Sequence, residues 1–244
     1  MIPTVVVERV LAPGNETLTL YRRGEQFMLR VGGIELMSSH DPTSERELGR
    51  LSCEPIQSSA PKVMIGGLGL GFTLRAALDA LPATARVEVV ELIPDVVRWN
   101  RTVFGHLAGH PLDDRRVTVI EDDVANVIAR GRDYDAIILD VDNGPSAIYR
   151  GNERILGRGL AALHAALSPG SLFTLWSCFR TDSFTRTLQR AGFDAEVRPI
   201  KRQKGNPRHF IWFATKPRVV AAPRPATKPR PRPGAARPRR SRGT

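Results

Sequence analysis

The stretch VMIGGLGLGFTLRAAL, residues 63–78, decides the fold of this chain. Apolar residues lead into glycines, and a helical pattern rich in Leu and Ala follows them. This order predicts a strand, a tight turn and a helix, in which the glycine backbone can approach a ligand closely at the helix N-terminus. We take Gly66, Gly67, Gly69 and Gly71 as candidate ligand-binding residues. The loop suits a dinucleotide as well as a nucleoside, and without the lysine of a P-loop it argues against nucleotide hydrolysis.

The chain on the C-terminal side of this stretch continues to alternate between strands and helices. Helices are predicted near 72–81, 94–107, 125–130, 154–167 and 183–191, and strands at 86–92, 116–122, 134–142, 171–178, 193–200 and 209–215. Strict alternation is typical of a doubly wound α/β sheet, here with about seven strands. The last two strands have no helix between them, so we expect an antiparallel pair at one edge.

Residues 3–38, on the N-terminal side of the glycine stretch, contain four short runs in which apolar and polar residues alternate. The runs are TVVVERV, TLTLYR, QFMLRV and IELMSS, with glycine-containing turns between them. This spacing predicts a small antiparallel sheet. We expect that sheet to border the ligand site, and a helix to follow it over 45–51.

Three acids stand where predicted parallel strands end. Glu91 lies about 20 residues past the last glycine, where an acid typically accepts hydrogen bonds from ribose hydroxyls. Asp122 and Asp123 end the next strand, where a carboxylate can accept a hydrogen bond from an adenine amino group. Each acid alone is also compatible with a solvated strand end. Together they lie at the edge where open α/β sheets bind ligands, so we take all three as candidate nucleoside-binding residues.

The segment DVDNGP, residues 140–145, follows an almost wholly apolar strand of the kind that is buried on both faces in a parallel sheet. Asp140 should therefore point into the crevice beside the glycine loop, with an exposed turn as the alternative. We take Asp140 and Asp142 as candidate catalytic residues, and Asp142 with Asn143 as candidate residues that bind an amine substrate. No Cys and His residues have metal-ligand spacing, so we expect no metal.

The formal net charge of +11 is concentrated at the C-terminus. Residues 216–244 contain ten Lys or Arg, seven Pro and no acid, which leaves 26 basic against 25 acidic residues elsewhere. We therefore divide the chain into a β region (1–50), an α/β domain (51–215) and a disordered basic tail (216–244). The tail suits weak, salt-sensitive contact with nucleic acid or another polyanion, or serves only solubility. No apolar run reaches the roughly 18 residues that span a bilayer, so we expect a cytoplasmic protein without a membrane partner.

Four motifs in order resemble those of the spermidine synthase family: GGLGLG (66–71), VEVVELIPDVV (87–97), DDRRVTVIEDDV (113–124) and YDAIILDVDNGP (134–145). Members of this family are aminopropyltransferases with the Rossmann-like fold of class I S-adenosylmethionine-dependent methyltransferases. The small N-terminal sheet also fits the family.

The resemblance implies S-adenosylmethionine, or its decarboxylated form, as co-substrate and a small-molecule amine as acceptor. The glycine loop would bind the methionine part and Glu91 the ribose. Asp122 and Asp123 would bind the adenine end, and Asp140 the reacting amine. A homodimer is one assembly that we consider.

The chain also departs from the family pattern, and these departures decide the order in which we consider three candidate functions. Gly69 stands where aminopropyltransferases typically carry an acid for the terminal ammonium of the decarboxylated donor. Without that acid, the carboxylate of intact S-adenosylmethionine is not repelled, so we expect methyl transfer to an amine or other nucleophile first. Asn143 replaces a second family acid, and aminopropyl transfer, with Asp140 and Asp142 as the acidic pair, comes second. A non-enzymatic nucleoside-binding scaffold, tethered to nucleic acid by its tail, is the third hypothesis.

Overall fold

The structure is a computed structural model that describes residues 2–141, 159–200 and 209–218. Its N-terminal part is an antiparallel sheet in which four strands pair in sequence order. The strands are β1 (Val5–Ala12), β2 (Glu16–Arg23), β3 (Gln26–Val31) and β4 (Ile34–Ser38). The predicted small sheet is therefore confirmed.

The larger sheet has seven strands within the described residues. They are β5 (Lys62–Gly66), β6 (Arg86–Glu91), β7 (Val117–Glu121), β8 (Tyr134–Leu139), β9 (Leu167–Ser177), β10 (Asp194–Pro199) and β11 (Phe210–Thr215). Their order is β10-β11-β9-β8-β5-β6-β7, and β5 to β9 are parallel. β11 runs antiparallel to both of its neighbours, β9 and β10. The doubly wound sheet and its antiparallel edge are both confirmed.

Six helices of the described residues cover the two faces of this sheet. They are α1 (Thr43–Cys53), α2 (Phe72–Ala80), α3 (Pro94–Thr102), α4 (Val124–Arg130), α5 (Leu160–Ala166) and α6 (Asp182–Arg190). Side chains of α1 to α3 form one apolar core together with the small sheet. Side chains of α4 to α6 form a second core on the opposite face. The separation into two cores follows from a parallel sheet with crossover helices on both sides.

The small sheet is attached to the large one through α3. Glu8 of β1 accepts a hydrogen bond from Trp99 Nε1 at 2.7 Å and forms an ion pair with Arg98 at 2.7 Å. The Phe27 ring of β3 packs against Phe104 with 5.9 Å between the ring centroids. Trp99 and Phe104 are fully buried, so this contact fixes the small sheet beside the carboxyl ends of the large one.

One predicted helix is shorter than expected. The sequence predicted a helix over 94–107, but α3 ends at Thr102 and two short 3₁₀ turns follow, Gly105–Ala108 and Pro111–Asp113. Gly105 permits this change of direction, because a Cβ at that position would collide with the carbonyl oxygen of Asn100. The turns replace the last helical turn and bring the chain back to β7.

Two further predictions extend beyond the described residues. The helix predicted at 154–167 corresponds to α5 in its second part, and residues 154–158 lie outside the described ranges. The tail predicted at 216–244 is described only to Arg218. Lys216 belongs to the folded part, because its Nζ donates to the carbonyl oxygens of His164 at 2.8 Å and Leu167 at 2.6 Å. No helix in the described part of the chain is long and apolar enough to cross a bilayer.

Candidate functional site

A cleft lies at the carboxyl ends of β5 to β8, and the small sheet forms its opposite wall. The cleft has a cavity volume of about 150 Å³ and is partly open to solvent. Six of the predicted residues line it: Gly67, Gly69, Glu91, Asp122, Asp123 and Asp140. The wall from the small sheet is apolar and includes Leu18, Leu29, Leu36 and Met37. The small sheet therefore borders the site, as the sequence predicted.

The glycine loop forms the floor of the cleft, between β5 and α2. Gly67 has a φ of +88°, and a Cβ at this position would collide with the carbonyl oxygen of Asp140. Its N–H donates to the carbonyl oxygen of Val90 at 2.8 Å, which ties the loop to β6. Only glycine fits this backbone path, so the loop stays flat against the end of β8 and leaves the space above it to a ligand.

Gly66 and Gly71 build the loop without lining the cleft. Gly66 is the last residue of β5, and a Cβ there would lie 2.7 Å from Val124 Cγ2 and 2.8 Å from Leu139 Cδ2. Gly71 is the N-cap of α2. These two glycines therefore hold the strand and the helix together and do not line the ligand space.

Glu91 is buried at the end of β6 and faces the cleft. Its Oε2 accepts a hydrogen bond from the Leu68 N–H at 2.9 Å, and its Oε1 accepts one from the Ile93 N–H at 3.0 Å. Burial raises the pKa of the carboxyl group, and the backbone N–H donors oppose that rise. The N–H groups of Gly69 and Leu92 also lower its pKa, so four backbone donors act on this carboxylate.

Asp122 and Asp123 follow β7 and are both engaged with α4. Asp122 forms an ion pair with Arg130 at 2.7 Å and accepts a hydrogen bond from Asn126 Nδ2 at 2.9 Å. These hydrogen bonds lower the pKa of Asp122. Asp123 caps α4 by accepting the Ala125 N–H at 2.8 Å. The two carboxylates therefore have fixed orientations at the far end of the cleft from Asp140.

Asp140 lies directly after β8 and is partly buried beside the glycine loop. Its N–H donates to the Gly66 carbonyl oxygen at 2.8 Å, and its Oδ2 accepts a hydrogen bond from Thr73 Oγ1 at 2.5 Å. Burial raises the pKa of Asp140 to about 7, and the negative charge of Glu45 contributes to the rise. Asp140 is therefore poised to gain or lose a proton near neutral pH. The other two residues predicted here, Asp142 and Asn143, lie outside the described residues.

The sequence analysis missed Glu45, an acid on α1 that lines a second cavity next to the cleft. This cavity also contains Gly69 and Asp140, and its remaining walls are apolar or aromatic: Leu36, Met37, Leu68, Leu70, Phe72 and Trp176. Burial raises the pKa of Glu45, and the Ser44 hydroxyl donates to its carboxylate at 2.7 Å. One end of the site therefore has two acids, Asp140 and Glu45. The sequence had instead predicted Asp140 together with Asp142 and Asn143 of the following turn.

A metal site needs several His, Cys, Asp or Glu side chains close together. Among the described residues, no three or more His, Cys, Asp and Glu side chains are close enough together to hold a metal ion. Cys53 is buried and Cys178 is half-buried.

The sheet order and the appended small sheet define a class I methyltransferase-like fold, and comparison with solved structures specifies it further. A spermidine synthase in complex with the transition-state analogue AdoDATO is 17% identical, with a TM-score of 0.67 over 86% of this chain and 72% of that one. Spermidine synthase from Thermotoga maritima is 17% identical, with a TM-score of 0.69 and the same coverage.

A probable spermidine synthase from Corynebacterium glutamicum is also 17% identical, with a TM-score of 0.62 over 88% of this chain and 81% of that one. A scan against family models found no match, and a search of curated proteins found no relative. The chain therefore has a spermidine synthase-like fold, as its sequence motifs predicted.

Proposed function

We propose that this protein is a transferase that moves a group from S-adenosylmethionine, or from its decarboxylated form, to a small amine. One observation carries the proposal. The carboxylates of Glu91 and Asp140 face one cleft from the ends of β6 and β8, and the glycine loop after β5, the strand between them, forms the floor. The likeness in fold to spermidine synthases supports the same class of reaction.

In this proposal, one end of the cleft binds the nucleoside part of the donor. Glu91 would hold the ribose hydroxyls through its carboxylate, which faces the cleft. Asp122 and Asp123 would hold the adenine end. When bound, the donor supplies an electrophilic carbon on a sulfonium, so the main tasks of the protein are to position the acceptor and to exclude water.

Asp140 would act on the acceptor. Its Oδ2 is occupied by the Thr73 hydroxyl, which leaves Oδ1 to receive a proton from an ammonium group. A carboxyl group with a pKa of about 7 can bind that proton and release it again near neutral pH, which is what general base catalysis needs. Asp142 and Asn143 remain predicted substrate-binding residues on the segment that follows.

Methyl transfer is the first form of this proposal. Gly69 lines the cleft without a carboxylate, so the loop has no charge that would repel the carboxylate of intact S-adenosylmethionine. Aminopropyl transfer is the second form, and two observations favour it. The similar solved structures are spermidine synthases, and the carboxylate of Glu45 lines the same cavity as Gly69.

Calorimetric titration of the full chain with intact and with decarboxylated S-adenosylmethionine tests the donor. Glu91→Gln should weaken the binding of either donor at least about tenfold, because ribose hydroxyls lose a charged acceptor. Glu121→Gln is the matched control, since Glu121 ends β7 but is exposed and does not line the cleft. Binding of neither donor, or equal binding by the Glu91→Gln variant, would refute the site.

Incubation of the preferred donor with butylamine and with 1,4-diaminobutane, followed by mass spectrometry, tests the transfer. A mass increase of one methyl or one aminopropyl group identifies the reaction. Donor binding without any transferred group would instead favour the non-enzymatic scaffold.

A further inference from the structure

The cavity that contains Glu45 has two acids in otherwise apolar surroundings. Glu45 and Asp140 line it together with the rings of Phe72 and Trp176. The Thr73 hydroxyl connects Asp140 to α1, because its Oγ1 lies 2.5 Å from the Asp140 carboxylate and 3.1 Å from the backbone carbonyl oxygen of Glu45. Carboxylates in such surroundings are costly unless a cation or a proton compensates their charge.

The described residues provide no cation in direct contact with either acid. The hydrogen-bond donors to the two carboxylates are the Ser44 hydroxyl at 2.7 Å and the Glu45 backbone N–H for Glu45, and the Thr73 hydroxyl for Asp140. Arg46 follows Glu45 on α1, but its guanidinium group lies over the Phe72 ring, 5.5 Å from the centroid. Burial and the negative charge of Asp41 raise the pKa of Glu45. The positive charge of Arg46 lowers it by a smaller amount.

Trp176 contributes an aromatic ring to the wall of this cavity. The ring is held by His209, with 4.9 Å between centroids and an angle of 45° between the planes. Trp is the aromatic side chain that attracts cations most strongly through its ring face.

We propose that this cavity is an ammonium-binding subsite, in which Glu45 and Asp140 together hold one alkylammonium group against the rings of Phe72 and Trp176. The proposal rests on the proposed function, because the subsite opens next to the donor cleft. The ammonium group comes either from the amine acceptor or from the terminal amine of the donor. Glu45 is then a specificity-determining residue that supplies the charge that Gly69 lacks.

The subsite should exchange a proton for its ligand. Without a cation, Asp140 holds a proton near neutral pH, because burial and the negative charge of Glu45 raise its pKa to about 7; burial also raises the pKa of Glu45. The other charged groups that act on Glu45 are Asp41 and Arg46. An ammonium group that enters replaces this proton as the compensating charge. Binding therefore releases a proton, and its affinity rises with pH.

Calorimetry with simple probes tests this on the full chain. Butylamine is compared with butan-1-ol, its neutral analogue, in the presence of methylthioadenosine, a nucleoside without an ammonium group. Glu45→Gln should weaken butylamine binding at least about tenfold, since a charge-assisted hydrogen bond is lost, and should leave methylthioadenosine binding unchanged. Glu47→Gln, on the same helix but paired with Arg50, is the matched control.

The second arm of the experiment identifies the source of the ammonium group. Decarboxylated S-adenosylmethionine is titrated in place of methylthioadenosine and butylamine. If its affinity depends on Glu45, the donor supplies the ammonium group; if only the affinity of butylamine does, the acceptor supplies it. Titration at neutral pH in two buffers of different ionisation heat should show about half a proton or more released per ammonium bound, and less in Glu45→Gln.

The outcomes separate this inference from the proposed function. Ammonium affinities that do not depend on Glu45, or equal affinity for butylamine and butan-1-ol, would overturn the inference. Failure of every nucleoside to bind would overturn the proposed function. Glu45-dependent binding of butylamine without nucleoside would in that case still support the subsite.

Discussion

Replacing Asp140 with asparagine should flatten the pH dependence of the free energy of unfolding. In the folded protein, burial and the charge of Glu45 raise the pKa of Asp140 to about 7, from a usual value of 3.8 in an unfolded chain. Between these two values the folded state keeps a proton that the unfolded state has lost. The wild-type free energy of unfolding therefore falls as pH rises through this interval, and it is highest at the acidic end as far as this group is concerned.

The two pKa values also set the size of the effect. A difference of about three pKa values corresponds to roughly 4 kcal/mol, at about 1.4 kcal/mol for each, which is an upper limit. Solvent in the cleft screens the partly buried carboxylate of Asp140. We therefore expect about 1–2 kcal/mol between wild type and variant as the difference in pH dependence.

Urea unfolding at about pH 5 and about pH 8 measures this difference for each protein. Comparing each variant with wild type cancels the contributions of groups that both share. Asp79→Asn is the control, because Asp79 is an exposed acid of α2 that pairs with Arg75 at the surface. If wild type and Asp140→Asn lose equal stability between the two pH values, the folded pKa of Asp140 is not raised and the argument fails.

Three further predictions concern the loop, the ribose site and the tail. Gly67→Ala should lower the melting temperature by several degrees, because its φ of +88° and the contact with the Asp140 carbonyl oxygen both oppose a Cβ; an unchanged melting temperature contradicts this. Glu91→Ala should weaken methylthioadenosine binding by roughly 1.5–3 kcal/mol in calorimetry, and wild-type affinity removes its role. Deletion of 219–244 should leave thermal unfolding and nucleoside binding unchanged and should abolish any salt-sensitive binding to heparin; heparin binding that survives the deletion places it on the folded part.

The residues at the strand ends could be predicted from the sequence because local rules place them. An acid that follows the strand after a glycine loop must lie at the ligand edge of a parallel sheet, and Glu91 does. Asp140 follows an apolar run that only fits a central strand, and it lies beside Gly67 as predicted. The length of α3 could not be predicted in this way, because the chain turns at Gly105 to pack against Asn100, a contact that periodicity does not reveal.

The place of Glu45 in the site could also have been predicted from the sequence, because its position follows the pattern of one helix face. The inward face of α1 carries Glu45, Leu48, Gly49 and Ser52, which are spaced as i, i+3, i+4 and i+7, the pattern of one helix face. Gly49 allows α1 to contact the backbone of α2 at Thr73. The carboxylate of Glu45 therefore needs a cation or a proton to compensate its charge, because the other residues of this helix face are uncharged. The close packing at Gly49 therefore explains why the backbone carbonyl oxygen of Glu45 lies within hydrogen-bond distance of Thr73 Oγ1, which also donates to Asp140.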